Sequence, residues 1–383
     1  MAINALQLPP LSLYIHIPWC VQKCPYCDFN SHALKGQIAE QDYVEHLLAD
    51  LEADLPLTSG RKISTLFIGG GTPSLFSAEA MDRLLQGVRA RIAFEAQAEV
   101  TMEANPGTVE AQRFAAYQHA GINRISIGVQ SFNAQHLSAL GRIHDAQQAI
   151  TAAELASSLA LRSFNLDLMH GLPGQSAEQA LDDLRQAIAL HPPHLSWYQL
   201  TIEPNTLFSS RPPQLPDDEI LWQIFQQGDA LLTAAGYQQY ETSAYAKPGY
   251  QCQHNLNYWR FGDYLGIGCG AHGKLSFTDG RILRTSKTKH PRGFMQGNYR
   301  DQYQEVELHE RAFEFFINRL RLLEPTPRVD FSRYTGLSET TIRRQLDAAL
   351  AQGYLQESQH HWQITGKGKL FLNSVLELFL PDD

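Results

Sequence analysis

Three cysteines fall within eight residues in the segment His16-Ile-Pro-Trp-Cys20-Val-Gln-Lys-Cys24-Pro-Tyr-Cys27-Asp-Phe29. Three residues separate the first pair and two the second, so one short loop can wrap three corners of an iron-sulfur cubane and leave the fourth iron without a protein ligand. An open iron of that kind can chelate the amino and carboxylate groups of S-adenosylmethionine (SAM), and one electron from the reduced cluster can split the sulfonium to give a 5′-deoxyadenosyl radical. The competing chemistry is zinc, which wants four closed tetrahedral ligands and would draw on His16 or His32 for the fourth. Five cysteines in all, an odd number, make a poor disulfide framework and suit a metal site in a reducing compartment.

Further along, groups suited to a zwitterionic nucleoside stand at what read as successive strand ends. They are Gly69-Gly70-Gly71-Thr72-Pro73, Glu103-Ala-Asn105, Gly128-Val-Gln130, Arg142 and Asp167. Singly each is ordinary, a turn glycine, a solvated acid or a surface cation; together they place acceptors and one cation where a barrel would bring them to one point. A separate motif, His254-Asn255-Leu-Asn-Tyr258-Trp259, offers an imidazole, the common protein ligand of haem iron, and two aromatic faces. Its plainer interpretation is a turn-capping histidine with core aromatics. Cys252 and Cys269 read as small buried residues or weak second haem contacts, and His272 as a further candidate.

The elements that must position these groups follow from hydrophobic periodicity. Six short segments rich in β-branched or aromatic residues, Leu13-Ile17, Thr65-Gly69, Glu99-Glu103, Arg124-Val129, Phe164-Met169 and Leu195-Ile202, are each bounded by turn formers. Between them lie stretches of helical spacing such as Tyr43, Leu47, Leu51 and Leu55. Strand and helix alternating six times predict an α/β fold with a parallel sheet and helices outside it. The proline-bearing stretch Glu203-Asp218 marks a boundary. The segment Arg284-Gln304, with five basic side chains, reads as a linker or mobile loop. After it, an amphipathic helix, a second helix and a hairpin predict a mostly helical, winged-helix-like unit. Three regions result: 1–210, a partial barrel; 211–305, an accessory segment with the His254 motif; and 306–383, the C-terminal unit.

Composition narrows the function. The formal net charge is −9, from 31 basic and 40 acidic residues, and residues 328–383 carry six basic against seven acidic side chains. Nucleic-acid binding demands the opposite balance, so no nucleic-acid partner is expected. Lys23 is the first basic residue, which speaks against a secretory signal, and no apolar run approaches the roughly 18 residues of a membrane span, so a cytoplasmic location is expected.

The cluster loop resembles that of the radical SAM superfamily. His16-Ile-Pro-Trp-Cys20 is similar, more narrowly, to the branch that holds oxygen-independent coproporphyrinogen III oxidases and haem chaperones. The resemblance implies a partial (β/α)6 barrel with the 4Fe-4S cluster on Cys20, Cys24 and Cys27, and with SAM at the C-terminal mouth. It implies SAM contacts from Tyr14, Tyr26, Gly70, Gly71, Thr72, Glu103, Gln130, Arg142, Asp167 and Gln199. Among these, Glu103 would meet the methionyl amine, Arg142 the carboxylate, Gln130 and Asp167 the ribose, and the backbone near Tyr26 and Gln199 the adenine. Phe29 stands where the oxidases carry a fourth cysteine, strand one begins after about a dozen residues, and the HNxxYW motif is present, all of which point to the chaperone side. That side implies haem bound by His254, Tyr258 and Trp259, apo-haemoprotein acceptors as partners, and membrane contact only transiently through those acceptors. The enzyme alternative is coproporphyrinogen III dehydrogenation by the same cofactors.

Overall fold

The computed structural model describes residues 5–381. Its first half is six parallel strands laid side by side in chain order: β1 (Leu11–Ile17), β2 (Ile63–Gly70), β3 (Phe94–Ala104), β4 (Arg124–Gln130), β5 (Ser163–His170) and β6 (His194–Gln199). Side chains alternate along each strand. Leu13, Ile15, Leu66, Ile68, Ile125, Ile127, Leu166 and Leu195 join one continuous apolar core. Helices cover that face, among them α1 (Glu40–Asp54), α2 (Ala78–Arg91), α3 (Phe114–Ala120), α4 (Ala146–Ser158) and α5 (Ala177–Ala189). The intervening residues meet across the barrel interior, as in Ser12–Thr65 at 2.7 Å and Ser126–Asp167 at 2.9 Å. Local chemistry starts the helices: Ser77 accepts from the Ala80 N–H, and Asp145 and Ser176 form reciprocal capping boxes with Gln148 and Gln179.

Residues 211–305 then extend this sheet at both edges. After α6 (Asp218–Ala234), the strands β7 (Gln238–Glu241) and β8 (Ala244–Ala246) add beyond β6. A short helix, α7 (Gln253–Trp259), follows. β9 (Asp263–Ile267) then pairs parallel with β1, and β10 (His272–Ser276), β11 (Ile282–Lys287) and β12 (Arg300–Glu305) continue as an antiparallel meander to make twelve strands.

The expected linker Arg284–Gln304 therefore needs correction, since most of β11 and β12 lies within it. The reason is a buried ion cluster. Lys287 is 0% exposed and donates to Asp50 at 2.5 Å and Asp54 at 2.6 Å, both on α1, while Tyr303 of β12 donates to Asp54 as well. The Lys287 charge is not solvated; its partners lie more than two hundred residues earlier.

The C-terminal unit has the expected plan. α8 (Arg311–Arg319), α9 (Arg328–Thr335) and α10 (Arg343–Ala351) pack with a small antiparallel sheet of β13 (Thr326–Pro327), β14 (Leu355–Glu357) and β15 (His361–Ile364). Phe315, Phe316, Phe331, Leu346, Trp362 and Phe379 form its core, which also takes in Phe261, from the turn before β9, and Ile282 of β11. No helix among the described residues is long and apolar enough to cross a membrane.

Candidate functional site

The cysteine loop leaves β1 at its C-terminal end and is pinned at both of its own ends: His32 N–H donates to the Pro18 carbonyl at 2.7 Å and Leu34 N–H to that of Cys20 at 2.8 Å. Cys20, Cys24 and Cys27 are partly exposed and line a cavity of about 410 Å³ at the C-terminal mouth of the barrel. Burial raises the thiol pKa of Cys20 and of Cys27, so a metal must displace their protons to bind. Among the described residues no three such side chains gather around one point as a single ion requires. A cubane asks for something different, one thiolate at each of three separate corners, and one short loop with a cavity on its open side suits it.

The same cavity is lined by Tyr26, Gly70, Gly71, Thr72, Glu103, Gln130, Arg142, Asp167 and Gln199, so barrel closure brings these expected residues together. Gly70 sits at φ +117°, and a Cβ there would fall 2.6 Å from the His16 ring, so only glycine serves. Its N–H donates to Glu103 Oε2 at 3.1 Å. Burial, and after it the Asp167 charge, pushes the Glu103 carboxyl up to about 8. Arg142 donates through Nη2 to Asn105 Oδ1 and to the Gly128 carbonyl, each at 2.8 Å, and through Nη1 to Cys24 Sγ at 3.6 Å. Its buried Nε has no partner among the described residues. Gln130 adopts φ +68°, an uncommon conformation for a residue with a side chain, where β4 loses register with β5. The side chain thereby reaches the Tyr198 hydroxyl, which donates to it at 2.9 Å. Asp167 accepts from Ser126 at 2.9 Å and from Asn165 at 2.8 Å. The cavity thus offers a buried acid, a half-satisfied guanidinium and a close backbone approach beside three thiols, a donor set that fits an amino-acid head and a sugar next to a cluster.

Tyr198 and Ser126 also line this cavity, beyond the residues expected from the sequence. The two-residue alternation of β6, with His194, Ser196 and Tyr198 on one face, carried the signal for the former.

Tyr14 lies outside the cavity. Its hydroxyl bonds His16 Nδ1 at 3.0 Å, and it lines a second, open groove of about 310 Å³ together with Tyr258, Trp259, Tyr264, His272 and Asn318. Tyr258 and Trp259 are therefore where a flat ligand could meet them. His254 is not: it is 1% exposed, with Nδ1 bonded to Thr65 Oγ1 at 2.8 Å and Nε2 to the Tyr258 hydroxyl at 2.9 Å. Burial, with the Arg124 charge second, lowers its pKa to about 3. In this conformation neither ring nitrogen is open to iron, and ligation would require breaking both contacts. Cys252 and Cys269 are buried, each with its thiol pushed up to about 12 chiefly by burial, in keeping with small structural residues.

Comparison with known proteins agrees with this geometry. Residues 14–187 match the model of the radical SAM superfamily and residues 306–371 that of the HemN C-terminal domain. The chain is 72% identical to the haem chaperone HemW of Escherichia coli, over 98% of this chain and all of that one, and 63% identical to the haem chaperone HemW of Haemophilus influenzae, with the same coverage. In structure it resembles the radical SAM enzyme coproporphyrinogen III oxidase (HemN) from Escherichia coli, with a TM-score of 0.82 at 24% identity over 97% of this chain and 90% of that one, a likeness of fold.

Proposed function

The chain belongs to the radical SAM superfamily and, within it, to the family of HemW haem chaperones, and we propose that it binds haem and delivers it to acceptor haemoproteins while carrying a SAM-binding 4Fe-4S cluster on Cys20, Cys24 and Cys27. When bound, cluster and SAM supply one-electron chemistry at the sulfonium. The residues of the chain hold and shield. Arg142, with its unpartnered Nε, pairs with the methionyl carboxylate; Glu103 and the Gly70–Thr72 backbone receive the amino group; Gln130 and Asp167 take the ribose hydroxyls, and Tyr26 and Gln199 flank the adenine. Tyr14, near enough to Glu103 to feel its charge, stands in the wall between this cavity and the haem groove.

The observation that carries the chaperone reading is the aromatic groove standing apart from the SAM cavity, open to solvent and walled by Tyr258 and Trp259. A chaperone must release its cargo to a partner, and a shallow open groove suits handover. An enzyme that abstracts hydrogen needs its substrate beside SAM, and a cavity of about 410 Å³ lies near the lower end of ligand-site volumes, about the room one SAM-sized ligand takes. The five free thiols fit the reducing cytoplasm, with membranes met only through membrane-borne acceptors. The test is anaerobic reconstitution of the cluster followed by haem titration and a coproporphyrinogen III assay on the same sample. Haem binding and transfer to an apo acceptor without porphyrinogen turnover is expected; turnover at an enzymatic rate with only background haem binding would replace the reading with that of a dehydrogenase.

A further inference from the structure

Resting on that haem reading, we propose that His272, at the start of β10, is the side chain that meets the haem iron in the aromatic groove, and that His254 is a positioning residue beneath it. The groove presents three tyrosines whose hydroxyls are already engaged. Tyr14 bonds His16, Tyr258 bonds His254, and Tyr264 accepts from Arg284 Nη1 at 2.7 Å. What these side chains offer a ligand is ring surface, with Tyr258 and Tyr264 set edge to face at 4.4 Å. His272 differs from them. It is exposed at the groove edge, and its ring makes no hydrogen bond among the described residues. Partial burial of the ring, with Lys289 and Arg284 nearby, holds its pKa below the ordinary histidine value, so near neutral pH it is an uncharged imidazole with a free lone pair.

The surroundings fit the rest of a haem. Arg321 stacks on Trp259 at 4.5 Å, and Lys289 and Arg284 lie near His272, the latter also paired with Glu314. A flat apolar macrocycle bearing a Lewis-acidic metal and two carboxylates matches aromatic walls, one open imidazole and nearby donors and cations. The backbone sets where His272 stands: a Cβ on Gly266 of β9 would lie 2.0 Å from the His272 carbonyl oxygen, so the absence of a side chain there lets β10 close against β9. His254 contributes through Tyr258, whose hydroxyl it fixes at 2.9 Å and whose ring forms part of the groove.

The experiment is a haem titration of the full-length, cluster-reconstituted protein, read by absorption and electron paramagnetic resonance spectra. His272→Ala should lose the histidine-ligated bands, bind haem about tenfold more weakly or worse, and regain the bands on addition of free imidazole, with iron-sulfur content and circular dichroism unchanged. His254→Gln should keep the bands. If His272→Ala leaves the spectrum and affinity intact while His254→Gln abolishes the bands, the iron meets His254 after the groove opens and the assignment falls, with the haem reading untouched. If the unmodified protein takes up no haem beyond an unrelated control, the haem reading itself falls, and this inference with it.

Discussion

The two ends of one barrel use the same inward-facing polar residues for opposite purposes. At the N-terminal floor, His194 bonds Asn165 at 2.6 Å and the Tyr240 hydroxyl at 2.8 Å, the His254 N–H donates to Glu99, and the His254 ring is held on both nitrogens. Among the described residues, Arg124 Nε, Thr101 Oγ1 and Ser163 Oγ stand unpaired there. At the C-terminal mouth, the Arg142 Nε has no partner among the described residues, Glu103 is buried beside another acid, and three thiols line the same cavity. Buried polarity by itself is therefore not a site. What distinguishes the mouth is that its open acid, guanidinium and thiols line one cavity, whereas at the floor most of that capacity is spent within the protein and stabilises it.

The largest effect that could break this contrast concerns the thiols. Replacing Cys20, Cys24 or Cys27 by Ala should abolish the cluster, while Cys252→Ala and Cys269→Ala should retain about four irons per chain, measured by iron and sulfide analysis. Cluster loss in the latter pair would place a buried thiol in the site.

Next in size is the floor. His254→Ala opens a cavity and strips Thr65 and Tyr258 of a buried partner, so it should cost roughly 2–4 kcal/mol of stability, read by denaturant unfolding, with SAM affinity unchanged. Unaltered stability would mean that the motif serves a ligand and not the fold.

Arg142→Ala should do the reverse, weakening SAM binding by about 1.5–3 kcal/mol, or roughly ten- to a hundred-fold, while leaving iron content intact. Arg142→Lys should rescue little, since a point charge cannot reproduce a planar fork. Calorimetry with SAM checks both.

The smallest expected effect is a pH dependence. Glu103 keeps its proton to about 8 in the folded protein, where an unfolded carboxyl loses it near 4.5. The folded state thus binds more protons between these values, and stability contributed by this group is lost as pH rises through that window. A cationic ligand needs the ionised form, so SAM binding at pH 7 should release a proton, and affinity should rise toward pH 8 and then level off. Glu103→Gln should remove both slopes, as read by calorimetry in buffers of different ionisation enthalpy. An unchanged proton count would show that another group titrates.

The sequence by itself determined those features whose physics is local. The three cysteines sit in one loop within eight residues, so their spacing alone specifies three corners of a cluster. The six parallel strands announce themselves through alternation, and Ser77, Asp145 and Ser176 start their helices with partners three residues away. Barrel closure then made Glu103, Gln130 and Asp167 predictable as neighbours, because each lies in the C-terminal half of a strand, while Arg142 follows β4 after one further short helix. The tertiary structure alone decided the rest, and in each case the deciding partner is distant in the chain. Lys287 looked like part of a solvated basic loop until β11 brought it to Asp50, 237 residues away. His254 looked like an open ligand until α7 seated it against Thr65, 189 residues away. Tyr14 was expected at the SAM cavity, and the groove that it also lines with Tyr264 and His272 exists because β9, from the far half of the chain, pairs with β1. Whether a polar side chain is spent or available depends on which partners a long-range strand pairing delivers to it, and periodicity along the chain carries no record of that.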